Sequence, residues 1–290
     1  MTTDPTPRTF TTRSGLRLSA DAWGDPSHRA VVLIHGGGQT RHSWGGTAAA
    51  LASDGWYAVA YDQQGHGTSD RAADRDYGND RFAEDCVDVC RELREPTGLA
   101  PVVVGASLGG LSALLAEGDL EPGCTSALVL VDVTPRMEPD GVRRIVGFML
   151  DKVDEGFGSL EEAAAAIAEY QPHRPPPRDL QGLAKNLRRA PDGRWRWHWD
   201  PDFFLGPLPI GSGQVHGRFD DAARALTVPT MLVRGRLSDL VSEETAREFL
   251  ELQPDARFVD VSDAGHMVAG DRNDVFTEAV AGFLAGLPDD

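Results

Sequence analysis

Pro101-Val102-Val103-Val104-Gly105-Ala106-Ser107-Leu108-Gly109-Gly110 is the stretch on which the fold turns. A short β-branched run enters a G-x-S-x-G turn, and a helix-forming segment, Leu108–Glu117, follows Ser107 at once. The flanking glycines let the backbone turn sharply without side-chain clashes, so the serine hydroxyl stands at the top of a sheet. The first amides of the following helix favour developing negative charge. Small residues are common in this chain, so the motif alone is weak. Its position between an apolar strand and a helix makes Ser107 a candidate nucleophile.

Working outward, further apolar runs end in polar or glycine positions: Ala30–Ile34, Tyr57–Tyr61, Ala127–Val131, Thr230–Val233 and Arg257–Val261. Thr9–Thr12 and Leu16–Trp23 suit two short antiparallel strands joined at Ser14-Gly15. The unalternating runs suit central parallel strands covered on both faces. Helical stretches fall between them at Trp44–Asp54, Arg81–Arg94, Ser242–Leu252 and Asp274–Leu287, with a modest cap at Ser242. The expected fold class is α/β, a mostly parallel central sheet flanked by helices.

Thr134–Asp221 breaks the alternation. It shows no good strand, helical stretches at Gly141–Val153 and Leu160–Tyr170, a Pro175-Pro176-Pro177 run, and Arg194-Trp195-Arg196-Trp197-His198-Trp199. It is too long for a plain connection. The expected organisation is a core of residues 1–133 and 222–290 with a helical insertion over 134–221.

The 290 residues carry 45 acidic against 28 basic side chains, a formal net charge of −17. That field disfavours nucleic acid and anionic membrane surfaces as partners. No apolar run approaches the roughly eighteen residues of a membrane span, and the polar N-terminus is no secretory signal. Cys86, Cys90 and Cys124 make no disulfide framework and read as small buried hydrophobes rather than metal ligands. The expected location is cytoplasmic. No metal or organic cofactor is called for, and a homo-oligomer is compatible with the sequence.

Three further segments complete the chemistry. His35-Gly36-Gly37-Gly38 follows the Ala30–Ile34 run and suits an oxyanion hole built from the N–H of Gly37, or Gly38, and the N–H of Leu108. Asp263-Ala264-Gly265-His266 follows the last strand, where His266 can serve as the base that a serine hydroxyl needs. Asp239, after the Thr230–Val233 run, stands in the order Ser, Asp, His and is the preferred acid; Asp132, at the end of Ala127–Val131, is its rival. His28, His42, His173 and His198 read as solvent or packing residues.

Together these segments, with Tyr61–Asp70 (YDQQGHGTSD), Leu128–Asp132 and Arg234–Asp239, resemble the α/β-hydrolase superfamily over nearly the whole chain. The insertion resembles that of epoxide-hydrolase-like and haloperoxidase-like esterases and lactonases, which implies a cap over the active site. Gln64 stands where many relatives carry Arg before Gly65-His66-Gly67. Relatives that open epoxides or remove halide use an aspartate nucleophile; Ser107 favours attack on an acyl carbon.

The resemblance implies a serine hydrolase that cleaves an ester or lactone of a small, fairly apolar molecule through an acyl-enzyme. Gly38, Phe148, Trp197 and Met267 are the candidate substrate-binding residues. Two other readings fit the sequence: a C–C bond hydrolase with the same triad, and a non-catalytic binder of small molecules.

Overall fold

The computed structural model describes residues 4–170, 180–212, 217–268 and 273–288. The proline run at 175–177 and His173 lie outside the described residues. Among those described, eight strands form one sheet in the order β1-β2-β4-β3-β5-β6-β9-β10. They are β1 (Thr6–Thr11), β2 (Arg17–Trp23), β3 (Ala30–Ile34), β4 (Tyr57–Tyr61), β5 (Val102–Ala106), β6 (Ala127–Val131), β9 (Thr230–Gly235) and β10 (Arg257–Val261). β1 and β2 pair antiparallel, as do β2 and β4; all the other neighbours run parallel.

Alternate residues of the central strands feed two cores, because successive side chains of a strand point to opposite faces. Val32, Ile34, Val59, Val103, Leu128, Leu130 and Leu232 pack against α2 (Asn79–Arg94), α3 (Leu108–Leu115), α8 (Arg218–Ala225) and α9 (Glu243–Leu252). Val31, Leu33, Ala58, Val104, Val129 and Val233 pack against α1 (Gly45–Ser53) and the C-terminal helix Asn273–Leu284. With both faces covered, these strands need no polar face, which is why they appear as continuous apolar runs. Cys86, Cys90 and Cys124 are free thiols inside the first core. Ser242 caps α9 by accepting the Thr245 N–H at 3.1 Å.

Parallel pairing sends the loops that follow β3, β4, β5, β6, β9 and β10 to the same edge of the sheet. All the candidate catalytic segments therefore gather there.

The region after β6 holds α4 (Pro139–Leu150), α5 (Leu160–Tyr170), α6 (Leu180–Ala184) and α7 (Asp202–Leu205). It also holds a hairpin that the sequence reading missed, β7 (Leu187–Arg189) with β8 (Trp195–Trp197). The signal was the two-residue period of Arg194-Trp195-Arg196-Trp197. Trp195 and Trp197 pack with Phe157, Leu183 and Leu187, while Arg196 pairs with Asp192 at 2.8 Å. The expected insertion boundary at residue 221 cuts through α8, whose Phe219, Ala222 and Ala223 lie in the first core. Among the described residues, no helix is long and apolar enough to cross a membrane.

Candidate active site

Ser107 sits between β5 and α3 with φ 47° and ψ −116°, a conformation rare for a residue with a side chain. Its neighbours leave no room for one. A Cβ at Gly105 would lie 2.4 Å from the Gly109 oxygen, and one at Gly109 would lie 2.6 Å from the Ile34 oxygen. The Ser107 N–H donates to the Val131 carbonyl at 3.1 Å, which ties the elbow to the end of β6.

Asp132 is the next residue after Val131. It is fully buried and has φ 49°. Its carboxylate collects three donors: the Gly235 N–H at 3.0 Å, the Ser238 hydroxyl at 2.5 Å and His266 Nδ1 at 2.7 Å. A buried carboxylate with this many donors is satisfied in its charged form. The hydrogen bond to Asp132 makes Nδ1 the protonated ring nitrogen of His266 and leaves the Nε2 lone pair available.

The loop after β10 reaches this position because β9 ends in glycine. A Cβ at Gly235 would meet the Gly265 oxygen at 2.2 Å. The Leu237 N–H donates to Ala264 at 2.8 Å and fixes the same loop.

The expectation that Asp239 orients His266 does not match the geometry. Asp239 Oδ2 lies 3.0 Å from Nε of Arg144 on α4, and its side chain is 29% exposed. The physical reason is its distance along the loop. Asp132 follows β6 directly and lies beside the elbow strand. Asp239 stands four positions beyond the end of β9 and faces α4. The same loop contributes Ser238 instead, a residue the sequence reading passed over.

The His35–Gly38 loop lies against Ser107: a Cβ at Gly36 would be 3.3 Å from Ser107 Cβ. The Gly36 N–H donates to Gln39 Oε1 at 3.0 Å, and the Gly38 N–H donates to His66 Nε2 at 3.1 Å. The Gly38 N–H is thus held by His66, and Gly37 stands between two anchored neighbours. The Gly38 carbonyl accepts from His198 Nε2 at 3.1 Å.

Leu108 packs in an apolar cluster with Met149, Trp199 and Phe203, and Phe148 and Trp197 border the same cluster. Phe148 stacks on Tyr170 at 4.2 Å between ring centroids, with Trp197 edge-on to Phe148 at 5.7 Å. Met267 Sδ accepts from Gln39 Nε2 at 2.6 Å, which joins the histidine loop to the glycine loop. The sequence reading missed Gln39, and it took His198 for a solvent or packing residue. Among the described residues, no group of three or more His, Cys, Asp or Glu side chains could hold a metal ion.

A model of the alpha/beta hydrolase family matches residues 31–279. The chain is 32% identical to Esterase Rv0045c of Mycobacterium tuberculosis, across 92% of this chain and 86% of that protein. It is 28% identical to a 3-hydroxybutyrate-oligomer hydrolase of Cupriavidus necator, across 86% of this chain and 87% of that protein. The crystal structure of an alpha/beta hydrolase from Novosphingobium aromaticivorans matches with a TM-score of 0.79 at 26% identity, covering 98% of this chain and 99% of that one.

Proposed function

The chain belongs to the alpha/beta hydrolase family and is a hydrolase acting on ester bonds; we propose that it works through an acyl-enzyme on Ser107, with His266 as base and Asp132 as the acid that orients it. The observation that carries this reading is the buried Asp132 carboxylate on His266 Nδ1, one strand away from the elbow. A serine hydroxyl is a poor nucleophile until a base accepts its proton. With Nδ1–H held by Asp132, His266 Nε2 takes that proton as Ser107 Oγ bonds to the acyl carbon. The carbonyl oxygen becomes an oxyanion, stabilised by the N–H groups of Gly37 and Leu108. The imidazolium then protonates the leaving alcohol, and the acyl-enzyme forms. In the second half His266 deprotonates water, which releases the acid and restores Ser107.

The substrate reading is a small, fairly apolar ester or lactone. The apolar wall of Met149, Phe148, Trp197 and Phe203 near Leu108 supports it. A cytoplasmic location is part of the same reading, and the three buried free thiols fit a reducing compartment.

A panel of p-nitrophenyl acyl esters and γ- and δ-lactones, run with wild type and Ser107→Ala, tests the proposal. Turnover of short acyl esters or lactones by wild type, and its loss by at least about 10³-fold in Ser107→Ala, is the expected result. Equal turnover by the two proteins contradicts it.

A further inference from the structure

Three buried histidines surround the glycine loop, and the hydrogen bonds assign each a neutral form. A backbone N–H can only donate, so the ring nitrogen it meets must be unprotonated. The Gln63 N–H meets His35 Nε2 at 3.0 Å, the Gly38 N–H meets His66 Nε2 at 3.1 Å, and the Gly67 N–H meets His198 Nδ1 at 2.8 Å. In each ring the other nitrogen then carries the hydrogen and finds a carbonyl. His35 Nδ1 donates to Gly36, His66 Nδ1 to Gln64 and His198 Nε2 to Gly38. Both ends of the Gly38 residue are thus gripped, its N–H by His66 from the core and its carbonyl by His198 from the insertion.

We propose that His198 is a positioning residue for ester hydrolysis: its Nε2–H, on the Gly38 carbonyl, orients the glycine loop so that the neighbouring Gly37 N–H points at the oxyanion. This inference rests on the acyl-enzyme reading above. His198 acts through Gly38 and does not touch the reacting atoms.

The segment around His198 is fastened to the core on both sides, so the contact is a built one. The Asp200 N–H donates to the Gly65 carbonyl at 2.8 Å, and the Tyr77 hydroxyl donates to Asp200 Oδ2 at 2.8 Å. Arg188 donates to the Gly67 carbonyl, the same residue whose N–H meets His198. Gly38 has φ 76°, and a Cβ there would meet the Met149 methyl at 2.6 Å, so the loop fits one conformation under the insertion. The histidine pair therefore makes a competent oxyanion site conditional on a seated insertion. The groups that act on His198 electrostatically are His35, Asp62 and Arg188, and the His66 ring lies 5.8 Å from it between centroids.

The test uses three substitutions on the full chain. His198→Phe keeps an aromatic ring, somewhat larger than imidazole, and removes both hydrogen bonds. His198→Gln retains a donor at the Nε2 position, and His198→Asn retains an acceptor at the Nδ1 position. An oxyanion contact acts in the transition state, so kcat for a p-nitrophenyl ester is expected to fall about 10- to 100-fold in His198→Phe, with KM within about 2-fold. His198→Gln is expected to recover to within about 3-fold of wild type, and His198→Asn is not. Wild-type kcat in a folded His198→Phe, or recovery by Asn but not Gln, overturns the assignment.

Nitrogen-15 NMR of the histidine rings in wild type gives a readout independent of turnover and of the variants' folding. His198 is expected as the Nε2–H tautomer down to about pH 5; an Nδ1–H tautomer or titration near 6.5 overturns the clamp. Retained turnover in Ser107→Ala sinks the acyl-enzyme reading itself. Lost turnover there, beside an unchanged His198→Phe, sinks only the role of His198.

Discussion

The loops after β6 and β9 are adjacent, and each carries an aspartate, yet the two side chains do opposite things. Asp132 turns inward, is fully buried and accepts from His266, Ser238 and Gly235. Asp239 turns outward to Arg144, whose guanidinium lies 5.5 Å from the Tyr170 ring centroid. An acid at the end of a parallel strand is therefore not enough to bring it to His266. The strand must lie beside β5, and the acid must be low enough on its loop to be desolvated. The β9 loop serves the site by supplying donors, Gly235 N–H and Ser238 Oγ, rather than an acceptor.

The most severe way to break this contrast is to neutralise each aspartate in turn. Asp132→Asn is expected to lower kcat for ester hydrolysis about 10⁴-fold, because an amide oriented toward Nδ1 favours the wrong imidazole tautomer. Asp239→Asn is expected to cost less than about 3-fold. Steady-state kinetics on both variants checks the pair.

The buried histidines around the glycine loop make themselves felt in stability. Burial pushes His198 down to about 4 from an ordinary 6.5, and it holds His35 and His66 below the ordinary value as well. Above about pH 6.5 His198 is neutral whether the chain is folded or not, so it adds no slope. Between 6.5 and 4 only the unfolded chain takes up the proton, so stability falls as pH falls, by about 3 kcal/mol for this residue. Urea unfolding at pH 7.5 and 4.5 is expected to show a loss that is smaller by roughly 2–3 kcal/mol in His198→Phe.

Ser238→Ala sharpens the picture of the acid. It removes one of the donors to a buried carboxylate while leaving His266 in place, and kcat is expected to fall about 10-fold with a loss of ~1–3 kcal/mol in stability. The smallest effect belongs to the outward pair. Arg144→Ala frees Asp239 and the face of Tyr170 that Arg144 covers, and KM is expected to shift about 2- to 3-fold with kcat unchanged, because exposed ion pairs contribute little. Kinetics on a short and a long acyl ester measures it.

The elbow, the parallel sheet and the helices over both faces could be read from the chain because each rests on local pattern. Val102–Val104 before Gly105 and the glycines around Ser107 are sufficient for that. The choice between Asp132 and Asp239 depends on which strands are neighbours and on which way each side chain leaves its loop, and sequence order does not contain that. The β7–β8 hairpin was hidden by the shortness of its strands, although Trp195 and Trp197 already alternated. The hydrogen bonds of His66 and His198 are not legible in sequence order. Each histidine meets its partners from a different part of the chain, and only paired backbone donors and carbonyls reveal the tautomers.

Labelling by a fluorophosphonate probe, followed by peptide mass mapping, reads the activation of Ser107 by His266 and Asp132. The probe's rate of attachment reports the activation of the nucleophile without reference to a natural substrate. One adduct is expected, on Ser107, forming at comparable rates in wild type and Asp239→Asn and at least about 100-fold more slowly in Asp132→Asn. An adduct on another residue, or slow labelling in Asp239→Asn with normal labelling in Asp132→Asn, would contradict it.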